Sequence, residues 1–167
     1  MNKNHPKTII GVMGGGDTND ESYRIAYELG QKIAKSGWLL LNGGRNCGVM
    51  EASARGAKEN GGLTIGILPD SHTGQTSQWI DIPILTGIGI ARNAINILSS
   101  HVIVACPGGA GTLSEIAMAL KSNRKVIALG WPSKNSLDIF FKCGQLYFVS
   151  TVEETIEQIK LILETNS

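Results

Sequence analysis

Residues Pro107 to Glu115 read Pro-Gly-Gly-Ala-Gly-Thr-Leu-Ser-Glu, directly after the apolar segment Val102 to Cys106 and at the head of a stretch with helical spacing. Gly108, Gly109 and Gly111 predict a loop that takes positive φ and lets a ligand approach the backbone, and Thr112 is a good N-cap. The first N–H groups of a helix lack intrahelical partners and stand at the positive end of its dipole, so the pattern predicts a phosphate site. Thr112 to Glu115 also reads as a capping box, in which Glu115 folds back on the Thr112 N–H and only finishes a helix. The alternative is a catalytic carboxylate, and both roles stay open on these residues alone.

Two more glycine loops share this setting. Gly14-Gly15-Gly16 follows the apolar stretch Thr8 to Met13, and Gly43-Gly44 follows Trp38 to Asn42. Arg45 and Arg92 could add positive charge for an anion, while Arg92 could equally end a helix and reach solvent. Cys47 lies within the second loop and reads as a small filler. Asp17 is expected to cap the next helix and Trp131 to pack rather than stack on a ligand.

These loops need elements to hold them. Thr8 to Met13, Trp38 to Asn42, Leu63 to Leu68, Ile80 to Ile84, Val102 to Cys106, Lys125 to Leu129 and Tyr147 to Val149 read as strands, with Pro83 confining the fourth to an edge. Helices are expected around Ile25 to Ser36, over Val49 to Asn60, Ile90 to Ser100, Thr112 to Ser122 and Asn135 to Lys142, and after Thr151, which forms a capping box with Glu154. Short apolar strands alternating with helices predict a single doubly wound, Rossmann-like α/β domain over residues 1–167, its mostly parallel sheet covered by helices on both faces. Ligands of such sheets bind at the carboxyl ends of the strands, where all three glycine loops would converge.

Composition sets the outer limits. At 167 residues with 42% hydrophobic and 17% charged residues, the chain can bury one sizeable core and has no room for two ordinary domains. A net charge of +1 without a basic run predicts no nucleic-acid partner, and no signal peptide or membrane span is read, so a cytoplasmic protein is expected. Cys47, Cys106 and Cys143 are read as reduced thiols, and with only His5, His72 and His101 no metal-ligand spacing emerges. The dinucleotide fingerprint is missing, because Asn19 and Ser114 stand where third glycines would, and no Walker sequence occurs; NAD is not expected. Pyridoxal phosphate is not expected either. Helices beginning near Ile90 and Thr112 are apolar on two faces, which predicts a homodimer or higher homo-oligomer built on them.

The complete Pro-Gly-Gly-x-Gly-Thr-x-x-Glu pattern resembles the signature of the LONELY GUY family and its relatives, a Rossmann-like group often mislabelled as lysine decarboxylases. Similarity runs from about Thr8 to Leu129 and takes in Gly43-Gly44, Gly48-Val49-Met50 and the arginine-bearing helix before the signature. The resemblance implies phosphoribohydrolase chemistry on cytokinin riboside or adenosine 5′-monophosphates, with Glu115 and Arg92 at the catalytic positions. Cleavage of an N-glycosidic bond passes through an oxocarbenium-like state that a carboxylate stabilises.

Within that group the chain departs from the hydrolases and looks closer to another branch. Gly89-Ile90-Ala91-Arg92-Asn93 lacks the histidine and lysine of their Met-His-x-Arg-Lys segment, and Arg45-Asn46 replaces a third glycine and a small residue. The short length, the triple glycine and the Gly-Ile-Gly-Ile-Ala-Arg-Asn segment are similar to the molybdenum cofactor carrier proteins. That resemblance implies a carrier of a phosphorylated pterin, molybdenum cofactor, with a molybdenum enzyme or a cofactor-synthesis protein as partner. Its binding residues would be Gly14, Gly15, Gly16, Gly43, Gly44, Arg45, Arg92, Asn93, Pro107, Gly108, Gly109, Ala110, Gly111 and Thr112. The hydrolase reading stands as the alternative.

Overall fold

The structure, a computed structural model, describes residues 7–131 and 144–165. The helix expected over Asn135 to Lys142, and Cys143, lie outside them. In chain order the elements are β1 (Ile9–Met13), α1 (Asp20–Lys35), β2 (Leu39–Asn42), α2 (Gly48–Glu59), β3 (Thr64–Leu68) and β4 (Ile82–Leu85), then a 3₁₀ turn (Gly89–Ala91) leading into α3 (Arg92–Leu98). β5 (Val102–Ala105), α4 (Ala110–Lys121), β6 (Lys125–Leu129), β7 (Leu146–Val149) and α5 (Val152–Thr165) complete the order.

The strands form one seven-stranded sheet in the order β4-β3-β2-β1-β5-β6-β7, and every neighbouring pair is parallel. The chain winds outward from β1 to β4 and then crosses to the far side of β1, so the switch point falls between β1 and β5. There Met13 pairs with Ala105, and the loops leaving those two residues emerge side by side. Strand β4, with Pro83, is an edge and is exposed along its length.

Alternate side chains of the central strands feed two cores. Ile10, Val12, Leu40, Val104, Ile127 and Leu129 face one layer with α1, α2 and α5. Met13, Leu41, Ile67, Ile103, Val126 and Ala128 face the other with α3 and α4. Both faces are therefore covered, as the uninterrupted apolar strands require, and each fully buried Ile or Leu contributes about 1.5–3 kcal/mol. Helices α1 and α2 meet backbone to backbone, since a Cβ on Gly30 would collide with the Ser53 carbonyl and one on Gly56 with that of Tyr27.

Three local expectations need correction. Asn19, not Asp17, caps α1, its Oδ1 accepting from the Ser22 N–H at 2.8 Å, and Asp17 is exposed in the loop before it. The segment after β4 enters a 3₁₀ turn, not an α-helix, at Ile90: Gly87 and Gly89 hold φ of 65° and 60°, and the α-helix starts only at Arg92. Helix α4 begins at Ala110 with Gly109 as N-cap, two residues before Thr112, so the Thr112 to Glu115 capping box does not form. The Thr151 box does form, with Thr151 Oγ1 accepting from Glu154 N–H at 3.1 Å and Glu154 Oε2 accepting from Thr151 N–H at 3.2 Å.

Candidate ligand-binding site

Three loops at the carboxyl edge are tied into one unit through Gly15. Its N–H donates to the Pro107 carbonyl at 3.2 Å and its carbonyl accepts from the Val49 N–H at 3.0 Å. A cavity of about 480 Å³ opens beside them, lined by Gly14, Gly15, Gly16, Gly43, Arg45, Asn93, Gly109, Gly111 and Thr112 among others. That volume lies within the usual range for small-molecule sites. Arg92 and Glu115, and also Asp70, Cys47, Met50 and Ile90, complete the lining that matters for chemistry.

Four of the expected binding residues stand off this wall. Pro107 and Gly108 in the loop before α4, and Ala110 at its first position, do not line the cavity, and Gly44 is buried, its N–H donating to Asn42 Oδ1 at 2.8 Å. Gly108 is closely packed: a Cβ there would strike the Thr112 hydroxyl and approach the Gly15 N–H. None of Gly108, Gly109 and Gly111 takes a positive φ. Gly109 and Gly111 instead leave open space, with nothing within 4 Å of a Cβ built on either. These glycines serve close approach, not an unusual backbone.

Of the three helices that follow these loops, α4 alone presents an open positive end. Helix α1 is capped by Asn19 and carries Asp20 and Glu21 in its first turn, and α2 carries Glu51 there. Helix α4 has neither a side-chain cap nor an acidic residue in its first turn. Its leading N–H groups and its dipole are thus available to an anion.

Arg92 is the cation nearest in role. Gly43 makes room for it, because a Cβ at that position would strike both terminal nitrogens of its guanidinium. It is half-buried, its Nε has no hydrogen-bond partner among the described residues, and it forms no ion pair among them. Burial lowers its pKa, with Glu115 opposing. Arg45 differs: its Nη2 lies 3.0 and 3.2 Å from the two carboxylate oxygens of Asp70.

Glu115 is buried, 6% exposed, and does not fold back on Thr112. Its Oε1 accepts from Asn96 Nδ2 at 3.0 Å. Burial pushes its pKa above the ordinary carboxyl range, while the Asn96 hydrogen bond and the Arg92 charge act against that rise. Asn93, 5% exposed, donates from Nδ2 to Ser114 Oγ at 3.4 Å, and so joins α3 to the first turn of α4. Cys47 stands at the N-cap of α2 without a side-chain cap bond, next to Gly16. Trp131 packs on the second core and donates from Nε1 to the Ala105 carbonyl at 2.8 Å.

Sequence reasoning missed Asp70 and Asn96. Asp70 sits in what reads as an ordinary polar loop, but that loop is stitched to the second glycine loop by Asn46 N–H to the Gln75 carbonyl at 3.0 Å and Ser77 N–H to the Gly44 carbonyl at 2.9 Å. Asn96 had one available signal: a polar residue on an otherwise apolar stretch.

An all-parallel doubly wound sheet, with an uncapped helix N-terminus and an unpaired arginine on one cavity at its carboxyl edge, defines a Rossmann-like α/β protein. More narrowly, the chain belongs to the SLOG cluster4 family, whose profile matches residues 7–156. Among solved structures it is similar to the molybdenum cofactor binding protein of Rippkaea orientalis, with 50% identity and a TM-score of 0.90 over 94% of this chain and 98% of that one. Similarity to the Moco carrier protein of Chlamydomonas reinhardtii is 44%, with a TM-score of 0.87 over 95% of this chain and 99% of that one. A cytokinin riboside 5′-monophosphate phosphoribohydrolase of Mycobacterium tuberculosis is 32% identical over 111 residues, 65% of this chain and 59% of that protein. Among the described residues no helix is long and apolar enough to cross a membrane.

Proposed function

We propose that this protein binds and carries molybdenum cofactor, a phosphorylated pterin bearing molybdenum, and that it holds the phosphate between the α4 N-terminus and Arg92. The observation that carries the reading is the unpaired Arg92 guanidinium in a cavity whose facing helix end is uncapped. Each hydrogen bond to a charged oxygen contributes about 1.5–3 kcal/mol, so a few such donors suffice for micromolar binding. Gly109 and Gly111 leave open space where that phosphate would lie, and Gly14 to Gly16 and Gly43 line the cavity that would take the pterin. Likeness to two cofactor-binding proteins over nearly the whole chain supports the choice of a pterin.

A second reading, a nucleoside 5′-monophosphate phosphoribohydrolase, is favoured by one observation: Arg92 and Glu115 line the same cavity and couple electrostatically. One experiment separates the two. The purified protein is assayed for release of ribose 5-phosphate from adenosine 5′-monophosphate and from an isoprenylated riboside monophosphate, and separately titrated with molybdenum cofactor. Cofactor binding that weakens in Arg92→Ala, without turnover, supports the carrier; turnover abolished by Glu115→Gln would replace it with the hydrolase.

The carrier acts in this proposal as a homodimer that pairs the α3 and α4 faces. Leu98 on α3 and Leu113 on α4 are exposed, as are Ile88 and Ile90 just before α3, Ile90 by 73%. A molybdenum enzyme or a cofactor-synthesis protein would then dock at the open edge to exchange the ligand. Sedimentation of wild type and Leu98→Glu tests the dimer; a wild-type monomer at micromolar concentration would refute it.

A further inference from the structure

Asn96 lies one turn beyond Arg92 on α3 and is completely buried. Its Nδ2 is bonded to Glu115 Oε1, across 19 positions of sequence, while its Oδ1 is buried without a hydrogen-bond partner among the described residues. A half-satisfied buried amide is costly, but an apolar residue of the same size would leave the buried Glu115 Oε1 without its donor. The neighbouring Ser100 hydroxyl does not need this side chain, since it donates to the backbone carbonyl of Asn96. The amide at this position is therefore accounted for by Glu115.

Glu115 Oε2 has no hydrogen bond among the described residues, and the residue lines the cavity. It lies five residues into α4, about 7.5 Å along the helix axis from Ala110 at the uncapped end. Set back from the helix end in this way, Glu115 would meet the part of a ligand that adjoins its phosphate. We propose that Asn96 is the positioning residue for Glu115: by holding Oε1 from behind, it leaves Oε2 as the one carboxylate oxygen turned to the cavity, an acceptor for an O–H or N–H on the ring next to the ligand's phosphate. The inference rests on the phosphate-ligand reading above for the identity of that ring, but not for the Asn96–Glu115 relationship itself.

Electrostatics agree with the geometry. Burial alone drives Glu115 towards the neutral acid, in which one oxygen becomes a donor; Asn96 and Arg92 both oppose this and preserve the acceptor. Arg92 on α3 is the charged group acting directly on Glu115, and Arg45 and Asp70 act on Arg92 from the opposite loops. Should Glu115 take a proton, half a turn of the amide would offer its O–H the otherwise unused Oδ1.

The test compares wild type with Asn96→Leu, which keeps the volume and removes the orphaned oxygen, and with the smaller Asn96→Ser in case the first fails to fold. Carbon-13 NMR of the Glu115 carboxyl in ligand-free protein is expected to show a higher titration midpoint in either variant; an unmoved midpoint overturns the proposal. Affinity for adenosine 5′-monophosphate, a source of ribose O–H, or for molybdenum cofactor, a source of ring N–H, is expected to fall about tenfold at neutral pH. In a Glu115→Gln background the same Asn96 substitution should cost no further affinity, and an equal loss there would mark a merely structural role and overturn the proposal. If wild type binds neither ligand, the phosphate reading fails, while the NMR midpoint still decides the role of Asn96.

Discussion

Arg45 and Asp70, 25 positions apart, face each other on the cavity wall with Arg45 Nη2 within 3.2 Å of both carboxylate oxygens. The pair removes from Arg45 much of the charge that an anionic ligand would meet, and it leaves Arg92 as the unpaired cation. Asp70→Asn keeps an acceptor for Arg45 and deletes one negative charge. Affinity for a phosphate-bearing ligand is expected to rise about fivefold, the scale of about 1 kcal/mol for a partly exposed charge. Calorimetric titration at two salt concentrations checks this, and a gain that does not shrink with salt would mean that charge is not the cause.

Two glycine substitutions should separate binding from folding. In Gly109→Ala the new methyl meets nothing within 4 Å, so the fold should lose only the better N-cap, about 1 kcal/mol or less, while the methyl intrudes on the proposed phosphate position. In Gly43→Ala the methyl strikes the Arg92 guanidinium and approaches Met50 Sδ, so both ligand affinity and Tm should fall. Melting curves and titrations of the two variants check the contrast. A Gly109→Ala destabilised well beyond that cap loss would show that the open space is filled by something in solution.

The β-α alternation was legible because it is written in local patterns: apolar runs, glycine loops and caps each span a few residues. Lys125–Leu129 appears as expected, and the other strands shift by one or two residues. Failure came where tertiary contacts override local chemistry. Thr112 and Glu115 have the residue types of a capping box, but glycine at 109 and 111 does not prevent the helix from starting two residues early, and Glu115 then points inward to Asn96. Asp70 and Asn96 find their partners 25 and 19 residues away, beyond any periodicity in the chain.

The two described cysteines should differ sharply in reactivity. Cys106 is fully buried behind the α4 loop, and burial pushes its pKa up to about 12, so its thiolate is scarce at neutral pH. Cys47 is half-buried on the cavity wall. In a Cys143→Ser background, iodoacetamide should modify Cys47 first, and bound ligand should slow it. Mass spectrometry of peptides with time gives the answer; equal labelling of Cys106 would contradict its burial.

Glu115 predicts a pH dependence whose sign follows from its burial. The folded-state pKa is raised above the ordinary 4.5, so between that value and the folded pKa the native state binds more protons than the unfolded state. Its contribution to stability is then fully present below about pH 4.5 and is lost as pH rises through the folded pKa, where a carboxylate must be kept in a buried site. Glu115→Gln removes the titration and can still accept from Asn96 Nδ2. The difference in Tm, variant minus wild type, is therefore expected to be small at pH 4.5 and to grow in favour of the variant towards pH 7. Groups that titrate elsewhere cancel in that difference, which isolates the buried carboxyl. A difference that instead favours wild type as pH rises would mean that Arg92 and Asn96 together outweigh burial, and that Glu115 is held as a carboxylate well below its ordinary range.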